Sequence, residues 1–359
     1  MRPGIDCATW GTSSDVTGAD STSSVRDAGP REILGKTLVG FGVALVLVYL
    51  LGWAVGWGAI LAALDGAQYR WVWIACLSTA LGLVAWGKVW QIVLGTIGVE
   101  VTFRRLVVTY YAATFANYVT PLGQAGGEPF IAYVVSVDTD ASYEEGLASV
   151  VTADLLNLLP FFNFAAVGLG YLLLREGLSG TAEELALALG AMAVGVPALV
   201  YLGWHYRGRI EQGTLWIARP LAARTDRLSI EGIQDRVHRF YEALDLVANR
   251  PRRLLYALAF SYVGWVFFAL PLYFAGLVLD APIELLLVLF IVPASTLAGL
   301  VPTPGGLGAV EGALVALIVA LAPVAPASAF AIAVLYRVAS YWFAIVVGGI
   351  AALWVTVRA

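Results

Sequence analysis

Charge is what this 359-residue sequence has least of. Only 13% of its residues are charged, about half the ~25% of an ordinary soluble domain. Two cysteines (Cys7, Cys76) and two histidines (His205, His238) leave no ligand spacing for zinc or an iron–sulfur cluster, so neither a metal nor a cofactor is expected. Twenty-one Lys plus Arg against 25 Asp plus Glu, a net charge of −4, exclude a basic nucleic-acid-binding chain. Lysine occurs only at 36 and 88. No P-loop, His-Glu-x-x-His or Ser–His–Asp pattern is present, so no catalytic class is indicated. Residues 1–32 are rich in Ser, Thr, Gly and Asp and lack the order of a signal peptide, and a disordered cytoplasmic tail is expected there.

What fills the space left by charge is apolar. Sixty per cent of the residues are hydrophobic and the mean hydropathy is +0.82. The apolar residues come in runs near the ~20 needed for a helix to cross the hydrocarbon core. The expected fold is therefore an all-α polytopic membrane protein, with membrane segments at 36–62, 71–94, 106–137, 146–173, 184–205, 254–279, 284–322 and 327–357. Two of these are interrupted, 106–137 by Pro121 to Gly127 and 284–322 by Pro302 to Gly308. Proline and glycine at that density end helices. Unpaired backbone cannot face lipid, so both loops must be buried in protein or line a wet cavity.

The distribution of arginine bears on topology. Loop 206–253 carries ten Arg against six acids, and Arg104 and Arg105 precede the first interrupted segment. By the positive-inside rule all of these belong in the cytoplasm. They share one side only if 106–137 is a re-entrant hairpin. The same reading of 284–322 gives a hairpin entering from outside, six full transmembrane helices, and both termini cytoplasmic in a multi-pass protein of the cell membrane.

The two interruptions also resemble each other. Thr120-Pro121-x-Gly123-x4-Glu128 matches Thr303-Pro304-x-Gly306-x4-Glu311 at an offset of 183, which carries 71–94 onto 254–277 and 146 onto 329. A single membrane domain over 33–357 is expected, built from a first half (33–175) and an inverted second half (184–357) with 206–253 as a cytoplasmic insertion. Inverted repeats with broken helices at the midplane recur in secondary transporters.

Ionisable residues inside the expected spans are Lys88, Glu128, Asp154, Glu311 and Arg337, each costly at mid-bilayer without a partner or a wet site. Glu128 and Glu311 open the second arm of each hairpin, where a carboxylate caps exposed N–H groups. Alternatively the tips meet at a cavity, with the Gly126–Gly127 and Gly305–Gly306 amides holding a lipid phosphate. Asp154 and Arg337 follow their glutamates by 26 residues, so the repeat puts opposite charges at equivalent places, either as a buried pair or with Arg337 as an anion ligand. Asn117, Thr120 and Pro121 on the first hairpin, Asn157 one turn after Asp154, and Pro304 complete the candidate substrate-binding set. Lys88 reads as a side chain that snorkels to the interface. The Asp138-Thr-Asp140 triplet has the spacing of a sugar-nucleotide metal motif, with no accompanying domain.

The runs Asn117-Tyr-Val-Thr-Pro-Leu-Gly-Gln-Ala-Gly-Gly-Glu-Pro129 and Pro302-Thr-Pro-Gly-Gly-Leu-Gly-Ala-Val-Glu-Gly312, with Tyr336-Arg337 and Ser340-Tyr341-Trp342, resemble motifs of the lysylphosphatidylglycerol synthase transmembrane, or flippase-like, family. The resemblance covers about 35–357. It implies movement of a phospholipid, aminoacylated lipid or lipid-linked sugar between leaflets. No aminoacyl-transferase or glycosyltransferase region accompanies it, so lysyl-lipid synthesis by this chain is not expected. The resemblance leaves open a membrane-embedded polyprenyl-phosphate-sugar transferase, or a scaffold for a separate synthase or glycosyltransferase. A homo-oligomer is also left open. Where many family members carry Arg and, three residues later, Asp, this chain has Asp154 and Asn157, which leaves the headgroup charge preference open.

Overall fold

The computed structural model describes residues 45–119, 142–175, 249–301 and 303–358, with isolated positions elsewhere. Regular structure among them is all helical: α1 (Leu45–Val55), α2 (Trp57–Ala63), α3 (Arg70–Thr96), α4 (Phe103–Val119), α5 (Tyr143–Arg175), α6 (Pro251–Val278), α7 (Leu285–Thr296), α8 (Ala309–Leu321), α9 (Pro326–Arg337), a π-turn (Val338–Trp342) and α10 (Phe343–Arg358). At 27 residues α3 is about 40 Å long, more than the ~30 Å hydrocarbon core. Five stretches are long and apolar enough to cross a membrane, six if α1 and α2 count as one. The protein is a multi-pass membrane protein. Tail 1–32, most of span 184–205 and most of insertion 206–253 lie outside the described residues.

The halves repeat element by element. Adding 183 to the start of α5 gives the start of α9, and adding it to the end of α5 gives the end of α10. The same shift brings the starts of α3 and α4 to within two residues of those of α6 and α7. Contacts are reciprocal too, since α4 packs on α10 and its counterpart α7 packs on α5. The equivalent helices α3 and α6 pack on each other along their length. Glycine lets them approach: a Cβ on Gly264 would lie 2.4 Å from the Trp86 indole nitrogen, and one on Gly82 would lie 3.2 Å from the Gly264 carbonyl oxygen.

The direction of this pair fixes the symmetry. The Gln68 amide, just before α3, donates to the carbonyl of Val278 at the end of α6 (2.8 Å), whereas Arg253 at the start of α6 donates to Gly95 at the end of α3. Equivalent helices thus run antiparallel, which places the pseudo-twofold axis across the helices. The repeat is inverted.

Both interrupted segments enter and leave at one end of the bundle. Val150 and Ala153, early in α5, cluster with Leu94 and Ala257 at the α3-end side, while Tyr171 reaches Glu284 beyond the end of α6. So α5 starts on the side where α4 starts, and 103–142 makes no net crossing. Likewise the α9–α10 rod passes from Ala339 and Phe343, near Ala75 and Phe274, to Gly348 and Gly349, against Tyr111 and Phe115 of α4. It starts at the α6-end side, where α7 also begins. Length and composition alone would count 304–321 as a span. Its continuous helix α8 has 13 residues, about 20 Å, and packs back against α7, so the chain turns rather than crosses.

Within the expected segment 36–62 the described helices are bent: α1 and α2 meet at 86° across Gly56, whose φ of 101° is open to glycine and strained for other residues. The Trp57 ring closes the inside of the bend against Gly52, and stands edge-on to Phe330 with ring centres 5.9 Å apart.

Candidate functional site

The second hairpin tip is built on positive-φ glycines, Gly305 (57°), Gly306 (66°) and Gly308 (85°). A Cβ on Gly305 would sit 2.0 Å from the Tyr341 ring, and one on Gly306 2.6 Å from the Cα of Gly299. The tip therefore needs glycine both for conformation and for room. Its amides are largely consumed internally. The Gly306 N–H donates to the Thr303 carbonyl (3.0 Å) and the Leu307 N–H to the Pro304 carbonyl (3.2 Å), while the Thr303 hydroxyl donates back to the Leu307 carbonyl (3.1 Å).

Glu311, in the first turn of α8, does two jobs. One carboxylate oxygen accepts the Gly308 N–H at 2.6 Å, the capping role its position suggests. The other accepts the Arg337 Nε–H at 2.6 Å, and the side chains of Arg337 and Glu311 are 10% and 3% exposed. Arg337 also donates through Nη2 to the Gly305 carbonyl (2.8 Å), and its guanidinium carbon stands 4.2 Å from the centre of the Tyr341 ring. The carboxylate partner of Arg337 is thus Glu311, not Asp154. A guanidinium has five N–H donors. Nε and Nη2 each make one bond, and Nη1 has no hydrogen-bond partner among the described residues. Arg337 lies eleven residues into α9, about 17 Å, near half the thickness of the hydrocarbon core. The π-turn follows it at once, a feature often found at functional sites.

The first hairpin reaches this place. The Tyr341 hydroxyl lies 3.1 Å from the Tyr118 carbonyl and 3.3 Å from the Pro304 carbonyl, and the Tyr118 and Tyr341 rings are 5.0 Å apart. The described end of α4 thus abuts the second tip. Asn117 is beside it, its side-chain oxygen buried without a partner among the described residues. Thr120, Pro121, Gly126, Gly127 and Glu128, like Asp138 and Asp140, lie outside the described residues.

Of the expected residues, Pro304, Gly305, Gly306, Glu311 and Arg337 come together, with Asn117 adjoining. Asn157 does not join them. Its side-chain oxygen accepts the Ser261 hydroxyl and its carbonyl accepts the Trp265 indole N–H at 2.9 Å, so it ties α5 to α6. Asp154, half-buried three residues earlier, lies within electrostatic reach of Tyr110 on α4. Tyr341, Tyr118 and Thr303 are the residues the sequence reading leaves out of the site. Tyr341 stands within the quoted Ser340-Tyr-Trp342 run, and Tyr118 follows Asn117.

Comparison with known proteins agrees with this architecture. Residues 37–348 match the family described as lysylphosphatidylglycerol synthase TM region, and the chain belongs to it. It is similar to a UPF0104 membrane protein of Methanothermobacter thermautotrophicus, 26% identical over 90% of this chain and 94% of that one. It is also similar to one of Pyrococcus horikoshii, 25% identical over 88% and 96%. A glycosyltransferase, AglD, of Haloferax volcanii is 31% identical over 58% of this chain and 37% of its own length.

Proposed function

We propose that this member of the lysylphosphatidylglycerol synthase TM region family is a lipid translocase of the cell membrane. A phospholipid, aminoacylated lipid or lipid-linked sugar passes its headgroup through the space between the hairpin tips, and its phosphate pairs with Arg337. The observation that carries this reading is a mid-depth arginine, held by Glu311 and Gly305 on one side, with Nη1 uncommitted among the described residues where the two inverted halves abut. A guanidinium held this way offers a bidentate edge to phosphate oxygens. Glu311 balances the charge while the site is empty, which makes a buried cation tolerable between transport events. The Gly306 and Gly308 amides do not carry the phosphate in this scheme, because the Thr303 carbonyl and the Glu311 carboxylate occupy them. The arginine-rich end, with both termini and loop 206–253, faces the cytoplasm.

The test is leaflet exchange of a fluorescent phospholipid in proteoliposomes without ATP, read by dithionite quenching. Losing a charge-assisted contact to the headgroup slows exchange roughly 10- to 100-fold in Arg337→Ala. Exchange that survives Arg337→Ala, Glu311→Gln and Glu128→Gln alike removes the site from consideration. The similarity to a glycosyltransferase favours one second reading, action on a polyprenyl-phosphate sugar, either directly or beside a separate glycosyltransferase. Metal-dependent sugar transfer abolished by Asp138→Ala would establish its direct form.

A further inference from the structure

A second site is separate from the Glu311–Arg337 pair. At the end of the bundle where α3 finishes and α6 begins, an open cavity of about 820 Å³ is walled by Lys88, Ile92, Glu100, Arg253, Tyr256 and Phe260 among others. Sequence alone reads Lys88 as a snorkelling side chain, but here it is placed. Its ammonium donates to Gln91 (2.6 Å), whose amide in turn donates to the Val101 carbonyl (3.0 Å), and it lies 5.2 Å from the centre of the Phe103 ring. Arg253 spends one Nη1 hydrogen on the Gly95 carbonyl. Both cations keep further donors that can turn to the cavity.

The outer wall is apolar and exposed. Tyr256 is 66% exposed, and Leu255, Phe260, Val263 and Val266 continue an exposed stripe along α6, a helix long enough to cross the membrane. The cavity thus has a charged floor, at the end carrying Arg104, Arg105, Arg250 and Arg252, and a side open to acyl chains. Two cations against Glu100 leave a surplus of one positive charge. Its volume falls within the ~300–1,000 Å³ usual for small-molecule sites.

We infer that this cavity binds the headgroup of a singly anionic phospholipid of the adjoining leaflet, with its phosphate between Lys88 and Arg253 and an acyl chain against Tyr256 and Phe260. The charge surplus selects one net negative charge over a zwitterion. The site goes beyond translocation and stands independently of it, because binding here needs neither Arg337 nor movement.

The test titrates the full chain in neutral detergent with phosphatidylglycerol, phosphatidylcholine and soluble glycerol phosphate, and bound molecules are counted by native mass spectrometry. Each interfacial cation contributes about fivefold in affinity for an anionic lipid, so Lys88→Gln with Arg253→Gln weakens phosphatidylglycerol roughly 25-fold. Arg70→Gln, at the other end of α3, leaves it unchanged. Glu100→Gln strengthens it about fivefold, and this arm remains readable if the double variant fails to fold. Equal binding of the two lipids, undiminished phosphatidylglycerol in a folded double variant, no gain in Glu100→Gln, or displacement by equimolar glycerol phosphate each overturns the proposal. Lipid binding without any exchange by the unaltered chain refutes translocation alone. Exchange without any selective phosphatidylglycerol binding by the unaltered chain refutes this site alone.

Discussion

Replacing Glu311 and Arg337 separately and together tests whether they form one electrostatic unit. In Glu311→Gln the amide can still accept the Gly308 N–H, so the cap survives while the guanidinium loses its carboxylate. In Arg337→Met the carboxylate keeps the cap but loses its cation. With side chains 3% and 10% exposed, neither orphan can be rescued by water in place. Each single change should cost about 3–5 kcal/mol, the usual result of breaking a buried pair. The double variant leaves no orphan charge. It forfeits the bond from Arg337 to the Gly305 carbonyl, about 1–3 kcal/mol, and gains back the desolvation of two ions. It should therefore be more stable than either single variant, with a coupling of at least about 3 kcal/mol. Equilibrium unfolding in mixed detergent–SDS micelles measures all four proteins. Additive single effects would refute the claim that Glu311 exists to hold Arg337. In the exchange assay the double variant should stay as slow as Arg337→Ala, since restored stability does not restore the phosphate ligand.

Gly305→Ala places a methyl group on the Tyr341 ring at φ 57° and should cost more than about 2 kcal/mol; adding Tyr341→Ala should recover only part, because the backbone strain remains, and thermal scanning in detergent distinguishes the two contributions. Gly264→Val drives a branched side chain into Trp86 and should separate α3 from α6, seen as a fall in stability of about 1–3 kcal/mol and a shifted tryptophan emission. Asn157→Leu removes the acceptor of the Ser261 hydroxyl and should cost only about 0.6–1.7 kcal/mol with exchange largely retained, since it ties helices and does not touch the lipid. In a background lacking Cys7 and Cys76, single cysteines at 95 and 104 should react with an impermeant maleimide only from the cytoplasm and those at 68 and 280 only from outside; labelling of 68 and 104 from the same side would break the topology.

Much of this was legible in the sequence because hydrocarbon leaves the backbone few options. Five of the expected segments, 71–94, 146–173, 254–279, 284–322 and 327–357, correspond to described helices, with 284–322 folded as two short arms. The offset of 183 was visible in four identities between the hairpin tips and reappears in the helix boundaries. The bend at Gly56 was not legible, since a single glycine between apolar runs is also ordinary in straight membrane helices. The pairing of Arg337 was open for a related reason. A repeat reveals which positions are equivalent, but not which of two nearby carboxylates a side chain will turn toward. That depended on the π-turn and on Tyr341 filling the space under the guanidinium, and neither carries a hydropathy signature. The Lys88 cavity was hidden because it joins the end of α3 to the start of α6, with Lys88 and Arg253 165 residues apart.

The symmetry of the fold and the asymmetry of the site belong to one argument. Inverted repeats with antiparallel equivalents and reciprocal contacts exchange roles in the alternating cycles of secondary transporters, and the proposed translocation would use the same exchange. A symmetric pair of sites would bind the headgroup equally from either side and give no order to its handling. Here the position equivalent to Arg337 is Asp154, and the step after Asp154 is Asn157, committed to Ser261 and Trp265. One half therefore places a cation at mid-depth and the other an acid within electrostatic reach of Tyr110. A headgroup carrying both a phosphate and an amine could engage the two in turn. Charge exchange between positions 154 and 337, Asp154→Arg with Arg337→Asp, should then leave the fold in place but abolish exchange. The new aspartate would face Glu311, and the phosphate ligand at 337 would be gone. Exchange that persists in that variant would show that the lipid path does not pass between these two residues.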